Sequence, residues 1–231
     1  MRQIGVERYA QKRMKKDRAP QTVRPPSALA AVPWFLLLPF FFSGATSLAL
    51  EVAWSKVLSY LLGVDLYGSA TVVTAYMAGL GLGAYLSARL PYPWRNSPLP
   101  YALLQGIIGA FGIVSLPLFH ATQPLLALLH GLSFASSALF LLLRFLLVFS
   151  LMLVPATLMG MTLPILAGVG RDRSGAGLAR WAGLLYGVNT VGAVAGTLVA
   201  GFGLIPWLGL YATCRWAGVA DLAIGGAVLW Y

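Results

Sequence analysis

The sequence predicts an all-α integral membrane protein, a bundle of six transmembrane helices. Of the 231 residues, 59% are hydrophobic and 10% are charged, and the mean hydropathy is +0.80, which is too apolar for an ordinary soluble domain. Six apolar runs reach at least about 18 residues, the length that a hydrocarbon core of roughly 30 Å requires. These predicted spans cover residues 33–62, 66–90, 99–119, 136–168, 178–204 and 208–231.

The segment before the first span is polar and strongly basic. Eight of the sixteen Lys and Arg residues precede residue 25, and the chain has a formal net charge of +10. In a soluble protein this charge would suggest nucleic acid, but basic residues directly ahead of a span indicate a topology signal or contact with anionic lipid head groups. We therefore expect a flexible tail, residues 1–32, a transmembrane domain, residues 33–231, and a lipid bilayer rather than nucleic acid as the partner.

Two regions leave the span count open between five and seven. The fourth span contains Pro155 and Pro164, and proline removes a backbone donor and clashes with the preceding turn, so this span should kink or divide. Residues 121–135 are apolar but too short to cross, which places them at the membrane interface.

The charges of the loops predict the orientation. The tail and the joints after the second and fourth spans contain thirteen of the sixteen basic residues, whereas the opposite joints contain none. The positive-inside rule assigns the basic side to the cytoplasm. Both termini should therefore be cytoplasmic.

Ionisable residues inside the spans are the candidate site residues. A charged side chain within the bilayer costs free energy, so such residues usually have a functional role. Glu51 lies past the middle of the first span, and Lys56 on the same helix lies about 140° around the axis from it, a poor partner. We predict an interhelical ion pair between Glu51 and Arg144, either structural or lining a polar cavity. Lys56 and Arg215 are further candidates for ion pairing or ligand binding, with snorkelling toward the interface as the alternative and the favoured one for Lys56. Asp221 is either a ligand-binding residue or a protonated acid hydrogen-bonded to a neighbour.

Small residues predict where helices meet, since close backbone approach drives helix association in lipid. Gly79 and Gly83 lie four apart on the second span. The fifth span has two small-residue faces, which predicts a central helix packed on both sides, with Asn189 available to hydrogen-bond across one of them. One face contains Asn189, Gly192, Gly196 and Gly203, and the other contains Gly183, Gly187 and Gly201.

Metal, cofactor and catalytic motifs are not legible in the sequence. Cys214 is the one cysteine, which excludes an internal disulfide and multi-cysteine metal sites. His120 and His130 stand ten apart without a metal-ligand partner. We expect no metal, no cofactor and no nucleophilic triad.

Three blocks of sequence resemble a known family. Residues 43–90, 154–166 and 184–210 are similar to the membrane portion of bacterial spermidine-synthase-like proteins, also described as fused major-facilitator/spermidine-synthase proteins. The resemblance implies a bundle like half of a major-facilitator fold in the bacterial inner membrane. The matching positions are Ser43, Gly44, Glu51, Trp54 and Lys56 in the first block and Tyr186, Asn189, Gly192 and Pro206 in the third.

The resemblance implies a function in which this chain anchors or partners an aminopropyltransferase-like subunit, with a polar or polyamine ligand at the midplane as a further option. The family's catalytic half needs a strand, a Gly-rich turn and several carboxylates, which this chain does not supply, so we do not expect it to be an enzyme alone. Two alternatives stay open. One is a small homodimeric transporter with Glu51, Arg144, Asn189 and Asp221 lining a cavity, and the other is a structural subunit of a membrane complex.

Overall fold

The computed structural model describes residues 34–62, 66–91, 94, 97–132, 137–169 and 175–230, and within these ranges the regular structure is all helical. A 3₁₀ turn at Trp34–Leu36 leads into the first of seven α-helices, and a five-residue π-helical segment, Ala200–Leu204, joins the last two. The helices are α1 (Leu37–Leu62), α2 (Leu66–Ala88), α3 (Leu99–His120), α4 (Gln123–Leu132), α5 (Ser137–Gly168), α6 (Gly175–Val199) and α7 (Ile205–Trp230). The predicted flexible tail, residues 1–32, lies outside the described residues.

Five helical stretches of the described chain are long and apolar enough to cross a membrane, not the six that the sequence predicts. The difference arises at the end of the chain, where the predicted fifth and sixth spans form one helical stretch of 54 residues, Gly177–Trp230. Gly209 interrupts this stretch with the non-helical angles φ 79° and ψ 171°. The hydropathy pattern placed a loop there, whereas the backbone stays helical on both sides of one glycine.

The prolines of the fourth predicted span do not divide it. Helix α5 continues for 32 residues with Pro155 and Pro164 inside, so of the two predicted outcomes, a kink or a division, the division does not occur. Proline is tolerated inside membrane-length helices because neighbouring groups satisfy the freed carbonyls. The adjoining helix α4 has only 10 residues, about 15 Å at 1.5 Å per residue, and is too short to cross.

The long helices associate mainly as three pairs, α2 with α5, α3 with α7 and α1 with α6. Each pair meets where glycine lets two backbones touch. A methyl group on Gly83 would collide with the Thr157 carbonyl of α5, and one on Gly218 would lie 2.5 Å from the Gly109 carbonyl of α3. One on Gly196 would collide with Ala45 of α1.

Helix α1, not α6, occupies the centre of the bundle. It contacts α2, α3, α5, α6 and α7. In α6, one predicted small-residue face lies against α1 at Gly192 and Gly196. Gly183 and Gly187 on the other face have no neighbouring atom within 4 Å of where a side chain would begin, and neither do Gly201 and Gly203 of the π-helical segment. The prediction that this helix is packed on both sides was therefore wrong.

The core around α1 is apolar with a few satisfied polar groups. Trp54 of α1 is buried between Phe111 and Phe119, with ring centroids at 5.5 and 6.4 Å in edge-to-face geometry. Its indole nitrogen donates to the Ser115 hydroxyl at 2.8 Å. The outer surface is apolar too, with leucine and valine side chains exposed along every long helix. An exposed apolar surface of this extent is what a lipid-facing bundle presents.

Candidate functional site

Asp221 lies at a junction of three helices with no exposed surface. Its Oδ1 accepts a hydrogen bond from the Thr46 hydroxyl of α1 at 2.5 Å and from the Gln105 amide of α3 at 3.4 Å. Tyr101, one helical turn before Gln105, is also buried there beside Ser43. We call Thr46, Tyr101, Gln105 and Asp221 the Asp221 junction.

Three oxygen atoms of the Asp221 junction have no hydrogen-bond partner among the described residues. They are Asp221 Oδ2, Gln105 Oε1 and Tyr101 Oη. Ser43 lies near the Tyr101 hydroxyl but without hydrogen-bond geometry. Buried polar atoms are nearly always paired, so three unpaired oxygens on neighbouring side chains make this junction the candidate site.

Glu51 occupies a second polar position, between α1 and α2. The Tyr76 hydroxyl of α2 hydrogen-bonds to its carboxylate. Its Oε2 atom is buried and has no partner in the described part of the chain. Tyr76 itself is buried, with 7% of its surface exposed. Glu51 is therefore held by one neutral donor from the adjoining helix.

The two acids do not form one site. Thr46, which holds Asp221, and Glu51 are five residues apart on α1, about 140° around the helix axis. They consequently face different neighbours, α3 and α7 in one case and α2 in the other. A single midplane cavity shared by both acids is not formed by the described residues of one chain.

The predicted ion pair between Glu51 and Arg144 is not formed. Within the ranges that the structure describes, Glu51 has no cationic partner, and the Arg144 guanidinium lies 6.0 Å from the Phe140 ring centroid on its own helix. The physical reason is the packing of α5, which pairs with α2 and barely touches α1. Lys56 and Arg215 are exposed on the outside of the bundle.

Asn189 lies in the contact between α6 and α1. Its side-chain oxygen and its carbonyl both lie against Gly44. Gly192 and Gly196 continue the same contact, against Phe41 and Ala45. The predicted packing glycines of the second span, Gly79 and Gly83, lie against α5.

Sequence reasoning missed Thr46, Tyr76, Tyr101 and Gln105. Gln105 was detectable, because an amide within an apolar span must find a partner in the bundle. Thr46 was harder, since threonine usually satisfies itself by bonding its own helix carbonyls. The two tyrosines carry no sequence signal that separates a buried hydroxyl from an interfacial one.

No group of three His, Cys, Asp or Glu side chains in the described ranges could hold a metal ion. An open groove between α3 and α7 is lined by apolar residues, among them Ala102, Ile107 and Leu222. His120 stacks on Tyr211 with ring centroids 6.1 Å apart, and Cys214 is buried in the core.

Comparison with known proteins gives two relatives. The chain is 29% identical over 219 residues to polyamine aminopropyltransferase 1 of Ralstonia nicotianae, an alignment covering 93% of this chain and 37% of that protein. It is 28% identical over 200 residues to polyamine aminopropyltransferase 2 of the same organism, covering 85% and 35%. The chain thus spans just over a third of the length of these relatives. No family model and no solved structure matches it.

Proposed function

We propose that this chain is the membrane-spanning module of a polyamine aminopropyltransferase-like protein, and that it holds an aminopropyltransferase-like domain or subunit at the bacterial cytoplasmic membrane. One observation carries the proposal: a chain of membrane-length apolar helices aligns along 93% of its length with about a third of such a transferase. A module of lipid-facing helices beside a catalytic region fits the role of an anchor.

The directions of the paired helices support six crossings rather than five. Helices α3 and α7 run antiparallel, because Ala102 lies near Gly225 while Gly109 lies near Gly218. Helices α2 and α5 run parallel, since Gly79 meets Ala156 and Gly83 meets Gly160. If the stretch from α6 to α7 crossed once, α3 and α7 would be the third and fifth crossings and would run parallel. A reversal near Gly209 makes α7 the sixth crossing, which returns the chain to the cytoplasmic side.

The arrangement of the acids favours an anchor over a transporter. A transport site near the midplane needs polar groups that face one accessible cavity. Here Asp221 has no exposed surface, Glu51 faces a different helix, and the groove between α3 and α7 is apolar. Transport by a homodimer would instead be revealed by polyamine uptake into proteoliposomes.

The orientation can be tested by cysteine labelling. Cys214 is the chain's one cysteine and is buried, so Cys214→Ala gives a background without thiols. We expect Ser97→Cys, after α2, to react from the cytoplasmic side and Gln123→Cys, after α3, to react from the opposite side. Reaction of both positions from the same side would contradict the proposed topology.

The anchoring role can be tested by supplying a transferase part as a separate polypeptide. The part of Ralstonia polyamine aminopropyltransferase 1 outside the alignment would be tagged and expressed with this chain or with an unrelated membrane protein of similar size. We expect the tagged part to sediment with membranes, and aminopropyl transfer to appear there, only with this chain. If the tagged part stays soluble in both cases, the anchoring role is wrong.

Transport is tested with the same purified chain. Uptake of labelled polyamine into proteoliposomes that disappears in Glu51→Gln would replace the anchoring proposal with transport. We expect no uptake above that of empty vesicles.

A further inference from the structure

Buried hydrogen-bond donors and acceptors from three helices meet at the Asp221 junction, and anchoring a transferase does not require them. We propose that it is a proton-binding site, in which Asp221 is a neutral carboxylic acid whose O–H group donates a hydrogen bond to the Thr46 hydroxyl oxygen. The proposal does not depend on the proposed function, because it concerns only the contacts of α1, α3 and α7.

The Thr46 hydroxyl lies within hydrogen-bond distance of three oxygen atoms. Its hydroxyl oxygen lies 2.5 Å from Asp221 Oδ1, 3.0 Å from the Phe42 carbonyl and 3.1 Å from the Ser43 carbonyl. A hydroxyl has one hydrogen to donate but can also accept. All three neighbours are acceptors if Asp221 is ionised, so Thr46 could satisfy only one of them.

A proton on Asp221 resolves this conflict. The Asp221 O–H then donates to the Thr46 oxygen, and the Thr46 O–H donates to the Phe42 carbonyl four residues earlier. Thr157 and Thr190 make the same bond to the carbonyl four residues before them. The second oxygen of the acid, Oδ2, remains as a neutral carbonyl, and an unpaired neutral oxygen costs much less than an unpaired charge.

An ionised Asp221 would be poorly compensated. The elements packed around it contribute Ser43 and Thr46 from α1 and Tyr101 and Gln105 from α3, all of them neutral side chains, with Tyr101 the other titratable group. The Gln105 amide at 3.4 Å is a long hydrogen bond. No Lys or Arg of the described ranges forms an ion pair with Asp221, whose closest interactions are with these neutral groups. A buried carboxylate without a cation takes up a proton instead.

The tight packing argues for a proton over a larger cation. A methyl group on Gly109 would lie 2.5 Å from the Gly218 carbonyl and 3.1 Å from the Asp221 β-carbon, so the backbones of α3 and α7 touch beside the acid. The nearby groove is lined by apolar residues and does not include Asp221 or Gln105. A proton needs no cavity.

An aspartate in an unfolded chain has released its proton at neutral pH, whereas the packed junction is proposed to keep it, so the folded state binds one more proton there. A ligand that binds the folded state more strongly than the unfolded state stabilises the folded state. The stabilisation from this site is therefore present while protons are abundant and is lost as the pH rises.

Infrared spectroscopy of the full chain in lipid nanodiscs tests the proposal directly. At neutral pH we expect a carbonyl absorption of a protonated carboxylic acid that shifts in D₂O, disappears in Asp221→Asn and persists in Glu51→Gln, the matched control at the other buried acid. If the absorption in Asp221→Asn equals that of the unchanged chain, Asp221 is ionised and the proposal is wrong. Should Asp221→Asn fail to fold, Thr46→Val decides, because loss of the acceptor shifts the acid carbonyl to higher frequency and an unshifted band contradicts the proposal.

Thermal unfolding gives a second, independent readout. From neutral to alkaline pH the melting temperature of the unchanged chain should fall more than that of Asp221→Asn. A melting temperature that rises with sodium chloride but not with choline chloride, and only when Asp221 is present, would replace the proton by a sodium ion.

Discussion

Gly192 of α6 lies directly against the backbone of Phe41 in α1, so that a methyl group on Gly192 would collide with the Phe41 carbonyl oxygen. It is one of three close glycine contacts between α1 and α6, together with those of Gly44 and Gly196. The face of α6 that carries Gly187 is uncovered, with no atom within 4 Å of where its side chain would begin. One helix therefore provides a covered and an uncovered glycine five residues apart.

We predict that Gly192→Ala destabilises the protein by about 1–3 kcal/mol, the usual cost of forcing extra volume into a packed contact. Gly187→Ala is the matched control and should not destabilise the protein, because alanine there meets no neighbour and gains about 0.5–1 kcal/mol of helix propensity over glycine. Thermal unfolding in detergent, followed by the loss of the monodisperse peak in size-exclusion chromatography, measures both. Equal melting temperatures for the two variants would contradict the pairing of α1 with α6.

Trp54 and Ser115 are the subject of a second prediction. Ser115→Ala should cost about 1–3 kcal/mol, because the buried indole N–H loses its acceptor at 2.8 Å. The double variant Trp54→Phe with Ser115→Ala should lose less than the sum of the two single variants, since it removes donor and acceptor together. Ser150→Ala is the control, because this exposed hydroxyl bonds only to the Leu146 carbonyl of its own helix. Additive losses in unfolding free energy would show that the hydrogen bond contributes nothing.

The helices of this chain were predictable from its sequence because length and hydropathy are properties of each segment alone. The predicted bounds 66–90, 99–119 and 136–168 agree within two residues with α2, α3 and α5. The break between the last two spans was predicted at residues 205–207, close to Gly209. Its form was not predictable, since one glycine at positive φ interrupts the helix without any polar residue to mark it.

The partners of the buried acids were not predictable in the same way. Depth along a span follows from counting residues, and depth suggested Arg144 as the partner of Glu51. Contact between two side chains also depends on which helices are neighbours and on how each helix is rotated about its axis. Both are determined by where glycines let the backbones pack closely. Helix α5 pairs with α2, and Glu51 interacts with Tyr76 of α2 instead of with Arg144.

A third prediction concerns that hydrogen bond. Tyr76→Phe leaves the Glu51 carboxylate without its donor from α2, and we expect a loss of about 1–3 kcal/mol in the free energy of unfolding. Adding Glu51→Gln to Tyr76→Phe should recover part of the loss, because a neutral amide is less costly to bury than a carboxylate.

Tyr60→Phe is the control for the tyrosine substitution, because Tyr60 is on α1 and 69% of its surface is exposed. Its melting temperature should equal that of the unchanged chain. If Tyr76→Phe is as stable as Tyr60→Phe, the hydroxyl of Tyr76 does not support Glu51.

The final prediction concerns Gly209, at which the helical stretch Gly177–Trp230 is interrupted. Its φ of 79° is the one positive value among the described residues, and an L side chain there costs roughly 1–2 kcal/mol. Gly209→Ala should therefore lower the melting temperature, while Gly203→Ala, six residues earlier and equally open, should not. Both glycines have room for a methyl group, so a difference between the variants reports backbone conformation and not crowding. If the two variants melt together, the positive φ at Gly209 is not required for the stability of the fold.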